Sequence, residues 1–209
     1  MKWQDLLALV GREPVFDSAL LLAGAVSTAQ VRLQLSRWTA AGRLVQVRRG
    51  VYALAETWRK VEPHPFAIAN AAFAGSYVSL QSALAWHGLI PEHVPVTTSV
   101  GPGRPELLDT PLGRFACRHV RSPLVFGYEL TDVAPGQQAF VAAPEKALLD
   151  LVHLTTGGDQ EAFLLSLRLQ NLRALDAEQL LALAARAGQP KLRRAAERMA
   201  RLLRSHPDA

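Results

Sequence analysis

Apolar residues recur at helical spacing over roughly the first forty positions, then switch to strand-like alternation. The stretch WQDLLALVG (residues 3–11) sets Leu6, Leu7 and Val10 on one side and predicts a short helix. DSALLLAG (17–24) predicts a second, with Asp17 as N-cap and Gly24 at its end. STAQVRLQLSRWTAAG (27–42) predicts a third, opened by a Ser27/Gln30 capping box and stopped at Gly42. Its apolar stripe is Val31, Leu35 and Trp38. The opposite side offers Gln30, Arg32, Ser36 and Arg37, with Leu33 interrupting the polar face. LVQVRRGVYAL (44–54) then predicts a hairpin. Val45 and Val47 alternate with Gln46, residues 51–54 return, and Gly50 suits positive φ at the turn, so that Arg48 and Arg49 project from the tip.

ETWRKVEPHPF (56–66) is predicted as a linker stiffened by Pro63 and Pro65. PFAIANAAFAG and VSLQSALAWHGL predict two further helices, the second running from near Ser79 to Gly88. Between residues 94 and 142 the pattern changes to short strand-like runs broken by Gly and Pro: VPVTTSV, ELLD, GRFACRHV, FGYEL and QAFVA, with DTPLG (109–113) as a turn. From Pro144 four helical runs follow: PEKALLDLVHLT, DQEAFLLSLRLQNL, DAEQLLALAARAG and KLRRAAERMARLLR. The predicted fold is α+β. A winged helix-turn-helix over residues 1–58 precedes a mixed helical domain over residues 62–205 that holds a small, mainly antiparallel sheet.

Composition sharpens this picture in one place. The 209 residues are 49% apolar and carry a net charge of +5. Residues 1–60 hold nine basic and four acidic side chains, residues 61–150 five and eight, and residues 151–209 nine and six, so the basic bias is greatest in the first segment. A lone cysteine, Cys117, builds no disulfide framework and fits a reducing cytoplasm. No apolar run reaches membrane-spanning length, and Asp5 and Gly11 interrupt any leader-like stretch, so no membrane partner is expected.

A helix fits the DNA major groove, where arginine pairs with guanine and glutamine with adenine. On this reading Gln30, Arg32, Ser36 and Arg37 face the groove, Thr28 and Gln30 stand at the helix start where base or phosphate contact is common, and Arg48 and Arg49 neutralise backbone phosphates. Two blander readings stand beside it: the arginines solvate a small α+β module, or the module docks a protein. In the last helix Lys191, Arg194, Arg198 and Arg201 share one side, beside an apolar stripe of Leu192, Ala195, Met199 and Leu202. That side reads first as a solvated surface and second as another anionic contact. No catalytic constellation emerges. SVGPGRPELLD (99–109) lacks phosphate-loop spacing, no paired carboxylates follow a Gly-Ser pair, and the six histidines show no H-x-x-x-H. No catalytic residue, cofactor or metal is assigned.

The segments WTAAGRLVQVRRGVYAL, YVSLQSALAWHGLIP and AAPEKALLDLV, in this order and at about these gaps, together resemble the AbiEi-type antitoxin family of transcriptional regulators from type IV toxin–antitoxin systems. The likeness covers roughly residues 5–160. It implies an N-terminal winged helix that binds double-stranded DNA at the operator of its own operon, with a basic wing at Arg48, Arg49 and Gly50. It also implies a C-terminal domain that counters a cognate nucleotidyltransferase-like toxin, the antitoxin itself not being an enzyme. The SALAWHG and PEKALLDL segments would hold the fold of that domain. Three alternatives stay open: an ordinary winged-helix regulator with a ligand- or protein-sensing second domain and no toxin, an enzyme with an unseen site, and a pure interaction module.

Overall fold

In the computed structural model, which describes residues 1–22 and 27–205, the early apolar stripes close on one another. The first elements are α1 (Trp3–Val10), β1 (Phe16–Asp17), a 3-10 turn (Ser18–Leu22), α2 (Thr28–Ala40), β2 (Leu44–Arg48) and β3 (Val51–Leu54). Leu6 and Val10 of α1, Val31 and Leu35 of α2, and Phe16, Leu44, Tyr52 and Leu54 of the small sheet form one core. Trp3 closes its rim, edge-on to Trp38 at 5.2 Å and to Trp58 at 5.3 Å, with the Arg43 guanidinium over both Trp3 and Trp58.

Two local expectations are corrected. Residues 18–22 form a 3-10 turn rather than an α-helix, held by Asp17 Oδ1, which accepts the Ala19 N–H at 2.6 Å; the expected end at Gly24 lies outside the described residues. Ser27 occupies the N-cap position of α2, yet its side chain makes no capping hydrogen bond, so the capping box does not form. The helix starts regardless, because the Val31 N–H reaches the Ser27 carbonyl at 3.1 Å and the Val31–Leu35 stripe buries.

The sheet of this first unit runs β1-β3-β2, all antiparallel. Every residue of β3 is buried. One face of the hairpin sends Leu44, Tyr52 and Leu54 into the first core, while Val47 and Val51 pack into the second, beside Phe66, Ala69 and Phe73.

The remainder comprises α3 (Pro65–Ala72), β4 (Tyr77–Val78), α4 (Leu80–Trp86), β5 (Val96–Gly101), β6 (Glu106–Thr110), β7 (Gly113–His119), β8 (Tyr128–Ala134), β9 (Gln137–Ala142), α5 (Pro144–Leu154), α6 (Glu161–Ser166), α7 (Ala177–Ala187) and α8 (Pro190–Ser205). The sheet is larger and more mixed than expected. Six strands run in the order β6-β7-β5-β4-β9-β8, with β5/β7 and β4/β9 parallel and the other pairs antiparallel. The 109–113 turn forms as predicted, pairing Thr110 with Gly113. The long helix expected over residues 159–172 stops at Ser166. Arg168 and Asn171 both take a left-handed φ of 49°, and the Gln170 N–H donates to the Leu89 carbonyl at 2.8 Å, drawing the chain onto the end of α4.

α5 is the most enclosed helix of the second core, buried continuously from Glu145 to Val152. Gly127 lies against it at φ +71°, where an added Cβ would come within 3.1 Å of Lys146 Cγ. Gly127→Ala therefore combines backbone strain with overpacking and should cost about 2 kcal/mol in urea unfolding. A variant as stable as the parent would show that the α5 contact yields freely.

Candidate functional site

The outward face of α2 carries the sequence-predicted groove residues. Val31 and Leu35 turn inward, so Gln30, Arg32, Ser36 and Arg37 stand exposed on the far side, while Thr28, on the Val31 side, is exposed because it opens the helix. Among the described residues none of these five side chains makes an ion pair or a side-chain hydrogen bond. Leu33, 52% exposed, lies on the same face rather than against the second core. A helix braced by a packed aromatic rim, with unengaged donors on its solvent side, can present them to an external partner without first breaking internal bonds.

The two hairpin arginines separate. Arg49 is exposed at the turn, where Gly50 takes φ +91° and its carbonyl accepts the Ser18 N–H at 2.7 Å. Arg48 does not project freely, and the expectation of two tip arginines is corrected. Its guanidinium donates to the Ala72 carbonyl at the end of α3 and pairs with Glu106 Oε2 of β6 at 3.3 Å. The cause is the bulge between Gln46 and Arg48, together with the burial of Val47 and Val51, which lays this end of the hairpin against the second sheet.

Much of the basic side of α8 is likewise engaged within the fold. Lys191 Nζ donates to the carbonyls of His153, at 3.2 Å, and Thr155, at 2.5 Å, capping the C-terminal end of α5. Arg194 binds Asp159 Oδ2 through Nε at 2.9 Å and through its terminal nitrogen at 2.7 Å, and holds that carboxyl below its ordinary range. Arg198 donates to the Asp159 carbonyl. A second anionic surface made of all four residues is therefore corrected: among the described residues Arg201 is exposed and makes no such bond, whereas the other three tie α8 to the end of α5 and the 155–159 turn.

Sequence reasoning missed a buried ionic cluster. Lys146 and Asp150, one turn apart on α5, form an ion pair with both side chains almost wholly enclosed. Asp150 Oδ2 also accepts the Tyr77 hydroxyl at 2.9 Å and the Ser79 hydroxyl at 2.8 Å, and the Lys146 ammonium sits over the rings of Phe126 and Tyr77. Burial pushes the Asp150 carboxyl up from the ordinary aspartate value, against the downward pull of Lys146, Ser79 and Tyr77. Burial and the Asp150 charge raise the Tyr77 phenol far above its usual value. Nearby, Glu145 Oε1 accepts the Asp176 N–H at 2.7 Å, and His87 Nε2 meets the Ala142 carbonyl at 2.8 Å. The YVSLQSALAWHG and APEKALLDL segments thus meet face to face. The available signal was Lys146 and Asp150 at i, i+4 inside an apolar run.

In comparisons with known proteins, no family model and no curated protein matches the chain.

Two outcomes check these assignments. Arg48→Ala should lower stability by about 1 kcal/mol, since a half-exposed ion pair contributes little and one hydrogen bond to a carbonyl about as much again; Arg49→Ala should leave the thermal midpoint unchanged. Lys146→Met should cost about 3–5 kcal/mol at neutral pH by leaving the Asp150 charge uncompensated. The folded-state carboxyl then sits still further above its unfolded value, so the native state binds the extra proton and stability falls as pH rises. Urea unfolding should show the deficit relative to the parent shrinking as pH drops towards the ordinary aspartate range.

Proposed function

We propose that residues 1–58 form a winged helix that binds double-stranded DNA, and that the chain is a transcriptional autorepressor and antitoxin of a type IV toxin–antitoxin system. The observation that carries the DNA reading is the outward face of α2, where Gln30, Arg32, Ser36 and Arg37 stand exposed and unengaged among the described residues. The order helix, 3-10 turn, helix, hairpin supports it, with the basic excess of residues 1–60 beside it. α2 enters the major groove, and Arg49 rests on a phosphate. Arg48 fixes the hairpin rather than gripping the backbone.

The antitoxin reading rests on the resemblance of three ordered segments to the AbiEi-type family. In it the residues beyond 62 counter a nucleotidyltransferase-like toxin encoded beside the chain, in the cytoplasm and without enzymatic activity of their own. Burial of Lys146 and Asp150 supports a fold-holding role for the PEKALLDL segment rather than direct contact with a toxin. A second reading, a regulator with a ligand-sensing domain, draws on a cleft of about 390 Å³ beside α4 and β5, lined by Leu84, Ile90, Val96 and Leu167.

Fluorescence anisotropy on the DNA upstream of the gene tests the first half. Arg49→Ala should weaken binding to every sequence and lower the salt slope by about one unit, whereas Arg48→Ala should leave the slope unchanged. Arg37→Ala should relax preference at a single base pair, by about 1–3 kcal/mol if its contact is bidentate. Binding that survives removal of the α2 arginines would end the groove assignment. Co-expression with the adjacent nucleotidyltransferase-like gene tests the second half: rescue of growth supports the antitoxin role, and its absence favours the ligand-sensing regulator.

A further inference from the structure

The hairpin and the second sheet do not close completely on one another. Between them lies a cleft of about 490 Å³, bounded by Arg48 of the hairpin, by Phe73 and Ala74 after α3, and by Arg104, Pro105 and Glu106 at the start of β6. Cys117 of β7 also lines it. Burial and the Glu106 charge push that thiol up, against the pull of Arg48, so it stays neutral. The wall therefore carries two arginines against one glutamate, a single positive charge in excess.

Arg48 is engaged through one nitrogen. Its bond to the Ala72 carbonyl and its ion pair with Glu106 both use Nη1. Nε and Nη2 make no hydrogen bond among the described residues, and neither is sealed from water. This edge of a guanidinium offers two parallel N–H groups, matched to two oxygens of one oxyanion. Arg104 is exposed and enters no ion pair or side-chain hydrogen bond among the described residues. Its loop is held nonetheless: His119 Nδ1 donates to the Gly103 carbonyl at 2.9 Å, and the Val120 N–H to the Gly101 carbonyl at 2.9 Å.

We propose that this cleft binds a small organic acid through its carboxylate. The carboxylate takes the Nε–Nη2 edge of Arg48, Arg104 flanks it, and the apolar part of the acid packs on Phe73, Ala74 and Pro105. One negative charge brings the wall to neutrality, which favours a monocarboxylate over a dicarboxylate or a phosphate monoester carrying close to two charges. The volume suits a small molecule, for which clefts run from about 300 to 1,000 Å³. The site is separate from the cleft beside α4 and β5, and it stands or falls independently of the DNA and antitoxin readings.

Benzoate is the probe, with benzamide as its uncharged counterpart and dimethyl phosphate as a phosphodiester. Each is titrated into the full chain at low salt and followed by backbone amide NMR shifts. Benzoate should bind about tenfold more tightly than benzamide, with the largest shifts at Gly103, Arg104 and Cys117. Arg104→Ala, which removes a side chain with no internal bond, should weaken benzoate several-fold. Arg48→Lys keeps the charge but loses the paired donors and should weaken it about tenfold. Glu106→Gln removes the repelling carboxylate and should tighten benzoate, an effect that a merely structural Glu106 would not produce. Equal binding of benzoate and benzamide, no binding of either, shifts centred on a distant arginine such as Arg201, or affinity unchanged in any of the three variants overturns the proposal. So does dimethyl phosphate binding as tightly as benzoate, since the cleft would then be a contact for a nucleic-acid backbone.

Discussion

Strand β3 has no solvent face, and the arrangement of the whole chain follows from that constraint. Its four residues are all buried, Tyr52 and Leu54 in one core and Val51 in the other. A strand buried on both faces cannot swing without exposing apolar surface to water. The hairpin is therefore a joint rather than an appendage, and Arg48 pins its end to the Ala72 carbonyl and to Glu106. The helix preceding the hairpin inherits a fixed orientation, because α2 rests on the same Leu44 and Tyr52 surface.

The second half depends on a different kind of interaction. Asp150 gathers an ammonium and two hydroxyls where water does not reach. Such a cluster adds little net stability compared with a well-packed apolar core, but it admits few alternatives, because every misregistered arrangement leaves a charge or hydroxyl unpaired. It joins α5 to the β4–α4 junction.

The helices and most strand runs were legible because their patterns are local. Val31, Leu35 and Trp38 mark the inner side of α2, Pro144 marks the start of α5, and the 109–113 turn is written in its own residues. What escaped was decided over distance. β4 is two residues long and carries no periodicity, so its central place in the sheet, and with it the parallel pairing to β9, could not be read from Tyr77 and Val78 alone. The turn residues Arg168 and Asn171 look helical in sequence, and the bond from Gln170 to Leu89 overrides that preference. Within the candidate interface the exposure of Gln30, Arg32, Ser36 and Arg37 followed from the stripe opposite them. The diversion of Arg48 did not, since Glu106 and Ala72 lie far from it along the chain.

The position of β4 bears on how the polypeptide emerges from the ribosome. This strand is made early, yet one of its neighbours, β9, comes only after four further strands have appeared. The hydroxyls of Tyr77 and Ser79 wait longer still, until translation reaches Asp150. The nascent chain thus holds an unpaired strand flank, and two hydroxyls that only water can satisfy, through much of its synthesis, while the first unit, whose contacts are short-range, can close early.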